Sequence, residues 1–262
     1  MAKRKGGTMQ YRANINGLDV EVSYSDRSVE EIFVPLLRHL VELRRNKGAR
    51  VLVMLAAPPA AGKTTLASFL EHLSWHTPGL ESVQNIGMDG FHRRQTYLDT
   101  HTMERDGVVV PMASFKGAPE TFDLDLLRAA LESVASGERC GWPAYDRTIH
   151  DPLDDAVQVT SDIVLVEGNY LLLDWPGWRE LRSLADYTVS ISMEPSFLRE
   201  RLVNRKASSG MPRTEAEAFV ERSDLYNACT VLEHSTTPDL ALRLMPDGEY
   251  VRDGGQVPCR IE

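Results

Sequence analysis

A chain of 262 residues, 42% hydrophobic and 26% charged, has room for one substantial core, alone or with a small appendage. Its net charge of −9 argues against a nucleic-acid partner, which needs a basic stripe, but is compatible with a local cradle for a small phosphorylated ligand. No apolar run is long enough to cross a membrane, so no membrane partner is expected. The basic opening MAKRKGG lacks an apolar stretch behind it and reads as a frayed tail rather than a secretory signal. Cys140, Cys229 and Cys259 are scattered without metal spacing. They read as small, uncommitted side chains of a protein in the reducing cytoplasm.

In chain order, Gln10–Ser23 alternates around Asn16-Gly17 and predicts a short hairpin outside the main sheet. Residues 1–27 therefore form a tail and hairpin, and residues 28–262 the main domain. Ser28–Arg45 carries apolar residues at helical spacing, with Ser28 as N-cap and Gly48 as stop. Strands are predicted at Val51–Ala56, Ser82–Met88, Ile163–Val166, Tyr187–Met193 and Leu240–Met245, with an extended piece at Tyr250–Arg252. Helices are predicted at Lys63–Leu73, Leu124–Ser136, Trp178–Ser183, Ser196–Ala207 and Glu215–Leu232. This alternation predicts an α/β fold with a mostly parallel central sheet and helices on both faces. Gly90–Thr121 reads as a long irregular stretch, and such stretches tend to carry function.

The most pointed motif follows the first of those strands: Ala57-Pro58-Pro59-Ala60-Ala61-Gly62-Lys63-Thr64-Thr65. It matches the phosphate-binding pattern GxxxxGK[ST] except that Ala57 replaces the first glycine, which is tolerable if position 57 keeps a negative φ. Backbone amides and the helix start would hold phosphates, Lys63 would reach the β/γ-phosphates, and the Thr64 hydroxyl would ligate Mg²⁺. The second strand, VQNIGMDGFH, runs out at Asp89, and the third, IVLVEGNY, at Glu167. In a parallel sheet all three ends share one edge, where ligands collect. Kinase chemistry on a small hydroxyl substrate needs a carboxylate to accept the proton and cations to balance the moving phosphoryl group. Asp89, beside Gly90, suits the base, and Glu167 suits a metal ligand or water-orienting acid, with the roles exchangeable on sequence grounds.

AAPPAAGKTT, MDGFH, FKGAPETFD, WPAYDRTIHDP and VEGNYLLLD occur in the order found in the uridine kinase, phosphoribulokinase and bacterial pantothenate kinase group, which the chain resembles over Ser28 to Met245. Within it, the likeness is to a bacterial nucleoside/nucleotide kinase-like subgroup that includes fructose-transport kinases. The resemblance implies a P-loop NTPase three-layer sandwich, with Gly62, Lys63, Thr64 and Thr65 holding ATP and Mg²⁺ and Asp89 as base. It also implies that Lys116 and Glu120 border the acceptor, that Tyr145, Arg147 and His150 lie on the substrate side, and that Glu167 is the acid of the third strand. His92 would orient the base or hydrogen-bond the substrate. Members are often dimers or tetramers, so a homodimer is an expectation.

After Glu194-Pro195, the helix SFLRERLVNRKASSGMPR places Arg201 and Arg205 on one face, and Gly210 and Pro212 break it. In the related kinases an arginine-bearing lid closes over ATP, which makes about 207–214 a helical lid with Arg201, Arg205 and Arg213 as its cations. The acceptor is expected to be a sugar or polyol. A uridine-type nucleoside kinase is the alternative, with Phe91, Tyr97 and Tyr145 available for stacking. A P-loop switch or a regulatory nucleotide-binding protein is the remaining alternative. A guanine switch usually carries NKxD after a late strand, whereas Asn46-Lys47 precedes the phosphate loop.

Overall fold

A computed structural model describes residues 2–5, 7–15, 17–105, 107–253 and 259. Met1 and Gly6 of the predicted tail, Asn16 of the predicted turn, and 254–258 and 260–262 of the predicted main domain lie outside the described residues.

The elements in order are β1 (Ala2–Lys5), β2 (Thr8–Ile15), β3 (Leu18–Ser25), α1 (Asp26–Ser28), a π turn Val29–Phe33, α2 (Val34–Lys47), β4 (Val51–Ala56) and α3 (Lys63–His76). Then come β5 (Val83–Gly87), a 3-10 turn Met88–Phe91, α4 (Gln95–Leu98), β6 (Thr102–Arg105), β7 (Val108–Pro111), α5 (Leu124–Ala135), β8 (Cys140–Asp146), β9 (Asp151–Val159) and β10 (Ile163–Gly168). β11 (Tyr187–Ser192), α6 (Pro195–Ser208), α7 (Arg213–Phe219), a π turn Val220–Asp224, α8 (Leu225–His234), β12 (Leu240–Leu244) and β13 (Tyr250–Arg252) complete the described chain.

The main sheet has the order β13-β12-β11-β4-β10-β5, parallel except for β13. β4 and β10 are continuous apolar runs because both faces are covered. Val51, Val53 and Leu55 pack with residues of α2, α3 and α6, whereas Leu52 and Met54 pack with α5 and with Val231 of α8. The helices thus lie on both faces, as the alternation predicts. Gly48, at φ 66°, ends α2 in the left-handed region that glycine favours.

Several expectations are corrected. The tail is a strand: β1 pairs antiparallel with β2, so the predicted hairpin is part of a three-stranded sheet. That sheet is separate from the main one, as predicted. The first helix is capped by Ser25, whose side chain accepts from the Ser28 amide, not by Ser28. The predicted irregular stretch Gly90–Thr121 contains α4, the β6–β7 hairpin and its own small core of Leu98, Met103, Met112 and Ala118. A second hairpin, β8–β9, carries the predicted substrate-side segment. Cys229 and Cys259 form a disulfide, which leaves Cys140 free and removes the cysteine argument for a reducing compartment. Among the described residues no helix is long and apolar enough to cross a membrane.

The N-terminal sheet is fastened at two places. The Tyr11 hydroxyl meets Ser68 of α3 at 2.8 Å (Oγ) and 3.1 Å (carbonyl), and Tyr24 stacks on Phe69 with centroids 4.3 Å apart. At its other end Ser25 and Ser28 donate to the Glu249 carboxylate at 2.7 and 3.2 Å, just before β13.

Candidate active site

β4 delivers the chain into the loop 57–62. Positive φ falls at Ala60 (66°) and Gly62 (83°) and not at Ala57, which explains why alanine is accepted at the pattern's first position. Pro58, Pro59, Ala60 and Ala61 make the turn, with the Ala61 amide donating to the Pro58 carbonyl at 3.2 Å. Gly62 caps α3, so Lys63, Thr64 and Thr65 form the first turn of a fourteen-residue helix, whose leading amides and dipole favour an anion.

Parallel register brings the acids beside this loop. Glu167 of β10 lies level with Leu55 of β4 and Gly87 of β5. A Cβ at Gly87 would sit 3.2 Å from the Glu167 carboxylate, so glycine leaves the acid its space. Thr64 Oγ1 donates to Glu167 Oε1 at 2.9 Å, and Lys63 Nζ lies 3.7 Å from Oε2. Glu167 is only 4% exposed, and its Oε2 is buried without a hydrogen-bond partner. A hydroxyl, a carboxylate and an unsatisfied buried oxygen at a phosphate loop fit Mg²⁺, which is usually held by one or two carboxylates plus substrate phosphates. Among the described residues no cluster of three or more His, Cys, Asp or Glu makes an all-protein metal cage.

Asp89 sits on the 3-10 turn after β5, and His92 Nδ1–H donates to the Asp89 carbonyl at 2.7 Å. Burial pushes the Asp89 carboxyl upward, but His92, Lys63, Arg147 and Arg205 together outweigh it and hold the pKa below the ordinary value. Glu167 goes the other way. Burial raises it, Asp89 adds to the rise, and Lys63 only partly offsets both. The site therefore keeps one acid ionised and ready to accept a proton, and a second acid that gains from a cation.

A cavity of about 300 Å³ opens from these groups. Thr64, Asp89 and Glu167 line one end, Tyr145 and its β8 neighbours one side, Ser68, Glu71 and Asn85 the far end, and Asn14 and Ile15 the outer wall. Gly90 is packed so closely on β8 that a Cβ there would meet the Pro143 carbonyl. A larger cavity of about 430 Å³ lies between β11, β12 and α8, and no predicted site residue lines it.

The other predicted residues divide. Arg201 Nε donates to the Ala60 carbonyl at 2.8 Å, with Nη2 3.7 Å from where a Gly62 Cβ would stand, so it touches the phosphate loop. Arg205 lies 3.8 Å from Asp224, and its charge reaches Asp89. Arg213 pairs with Glu217 of its own helix at 3.2 Å and Asn204 of α6 at 3.3 Å, so it is turned to α6 and α7 rather than to the loop. Exposed Arg147 acts on Asp89 through its field. Lys116 donates to Gln95 Oε1 (2.9 Å) and the His150 carbonyl (2.7 Å), bracing α4 against the β8–β9 turn. His150, at φ 56°, offers that brace its carbonyl and does not line the cavity. Glu120 is exposed on the Pro119–Thr121 turn and does not line it either. Sequence reasoning missed Ser68, Glu71, Asn85, Asn14 and Ile15. Their available signal was spacing: Thr64, Ser68 and Glu71 stand at i, i+4 and i+7, one helical face, and Asn85, Gly87 and Asp89 at every second position of a strand and its exit.

The model of the phosphoribulokinase/uridine kinase family matches residues 52–209. YggC of Escherichia coli (strain K12) is 41% identical over 243 residues, spanning 92% of this chain and 98% of its own. A Schizosaccharomyces pombe protein provisionally named uridine kinase C227.14 is 34% identical over 79% of this chain and 88% of its own. The crystal structure of a protein from Silicibacter sp. TM1040, provisionally described as a fructose transport system kinase, has a TM-score of 0.66 and 29% identity, covering 77% of this chain and 98% of that one.

Proposed function

The chain belongs to the phosphoribulokinase/uridine kinase family of P-loop kinases, and on that premise we propose that it transfers the γ-phosphoryl group of ATP to a hydroxyl of a sugar or polyol. One observation carries the reading: Asp89 lines, with Thr64 and Glu167, one polar cavity beside the phosphate loop, where Lys63, Arg147 and Arg205 act to keep its carboxyl ionised. The Asp89 carboxylate accepts the proton of the attacking hydroxyl as the new P–O bond forms and the bond to the β-phosphate oxygen breaks, releasing ADP. Lys63 and the amides from Gly62 to Thr65 hold the phosphates, and Arg201, already on the loop, neutralises charge on the moving group. Thr64 and Glu167 would hold Mg²⁺, which would supply charge neutralisation for the phosphates. The segment after α6 closes over the nucleotide, with Arg205 at its base.

The aromatic residues support a sugar or polyol over a nucleoside. Phe91 is buried edge-on against Trp142, and the Trp142 indole donates to the Gly87 carbonyl at 2.8 Å. Tyr97 stacks on His101 at 3.6 Å beneath Arg93. Of the three stacking candidates only Tyr145 lines the cavity, beside the buried Trp142, and a polar far end suits hydroxyls better than a base. The test is ADP release from Mg-ATP against a panel of sugars, polyols, nucleosides and pantothenate-like acids. Stimulation by a neutral sugar or polyol is expected, and stimulation by nucleosides alone would overturn the acceptor class. In the same assay Lys63→Ala should raise the KM for ATP and lower kcat together.

A further inference from the structure

The cavity runs well past the reacting groups, and part of its wall comes from outside the residues that the family model matches. Residues 8–25 lie outside the 52–209 match, yet Asn14 and Ile15 at the tip of the β2–β3 hairpin close the cavity's outer wall. The tip is held in place: Tyr11 is hydrogen-bonded to Ser68, and Asn14 bridges its own turn to Asp19 Oδ1 (2.8 Å) and the Gly17 amide (3.1 Å). Beneath it, Glu71 is fixed by Asn85, whose Nδ2 donates to Glu71 Oε2 at 3.0 Å and whose amide donates to Oε1 at 3.3 Å.

The chemistry of this end is one-sided. Both Glu71 oxygens keep a further lone pair, and Asn85 uses one Nδ2–H on Glu71 while its Oδ1 accepts no hydrogen bond among the described residues. Such a surface accepts hydrogen bonds and carries negative charge, so it welcomes O–H donors and repels a carboxylate or phosphate. From Thr64 to Glu71 the helix rises about 10 Å, roughly the span of an extended five- or six-carbon polyol with a hydrogen bond at each end.

We propose that Ser68, Glu71 and Asn85, walled by the N-terminal hairpin, form a hydroxyl-reading subsite that admits an uncharged polyhydroxyl acceptor and rejects its anionic counterpart. The proposal rests on the kinase reading for the identity of the ligand as acceptor, but its geometry is separate from the transfer step. Glu71 and Asn85 here position the acceptor's remote end and take no part in proton transfer.

The test measures equilibrium binding, in the presence of Mg-ADP, of ribitol and glucitol against ribonate and gluconate, alongside acceptor-stimulated ADP release. The wild-type protein should bind each polyol at least tenfold more tightly than the matching acid. Glu71→Gln, which keeps shape, should weaken polyol binding about tenfold and narrow the discrimination. Glu71→Lys should reverse the order, and Ile15→Trp should lose glucitol before ribitol. Equal binding of acids and polyols, unchanged discrimination in Glu71→Gln, or no polyol binding at all would overturn the subsite. The kinase reading fails by a different result, namely no stimulation of ADP release by any acceptor class. A nucleoside-stimulated enzyme blind to polyols would sink the subsite alone.

Discussion

Replacing Asp89 by asparagine should separate chemistry from nucleotide binding. The Asp89 carboxylate makes no side-chain hydrogen bond among the described residues, and the His92 contact is to its backbone carbonyl, which asparagine retains. Stability should therefore change by less than about 1 kcal/mol. The base, by contrast, is lost outright, and positioned proton transfer contributes roughly 10²- to 10⁴-fold. At about 1.4 kcal/mol per decade that is about 3 to 5 kcal/mol of transition-state stabilisation, read as kcat. Lys63 keeps Glu167 as a partner at 3.7 Å, and the cations around position 89 lose an anion that competes with phosphate. The KM for ATP should thus stay the same or fall. The assay is acceptor-saturated ADP release with ATP varied, beside direct nucleotide binding. A kcat within twofold of wild type would refute the base assignment. A large rise in KM for ATP at unchanged kcat would place Asp89 in the phosphate cradle instead.

Further outcomes follow from neighbouring contacts. Gly90→Ala would drive a Cβ into the Pro143 backbone carbonyl, so denaturant unfolding should show a loss of about 1–3 kcal/mol and acceptor KM should rise as the β8–β9 arm shifts. Burial outweighs the pull of Asp89 and holds the His92 imidazole below its ordinary 6.5. Below that value the unfolded chain takes up the proton more readily, so stability should fall with falling pH by up to about 1.4 kcal/mol per unit until the folded pKa is passed. His92→Asn should flatten that slope in pH-dependent unfolding. His72, also lowered by burial, leaves part of it in place. Mg-ATP should protect 207–213 from hydrogen exchange, and unchanged exchange with nucleotide bound would count against a closing lid.

The edge that carries the candidate site was legible in the sequence: apolar runs predict buried parallel strands, and whatever follows their carboxyl ends must share an edge. Lys63, Thr64, Asp89 and Glu167 all follow from that rule. The β8–β9 hairpin was not legible, because Pro143 and Pro152 sit inside its strands and argue against pairing. A separate two-stranded ribbon tolerates them, since its outer edges need no ladder bond. The disulfide joins cysteines thirty residues apart that carry no spacing signature, and only the return of the chain past α8 brings them together. Lys116 and His150 illustrate a different limit. Their motif places them near the site, but whether a side chain faces ligand or braces a turn depends on which neighbour folds against it.

The bond from Glu249 to Ser25 and Ser28 bears on how the protein is made. These partners are separated by 224 and 221 residues, so this closure waits until β13 is reached, whereas Arg201, which bonds the phosphate loop at Ala60, lies 141 residues along. During synthesis the hairpin emerges before the phosphate loop, and its clasp at Glu249 only after it. The phosphate loop and the cavity wall that includes Asn14 and Ile15 therefore mature at different times on one polypeptide, and a chain truncated before residue 249 keeps its phosphate loop but lacks the clasp on that wall.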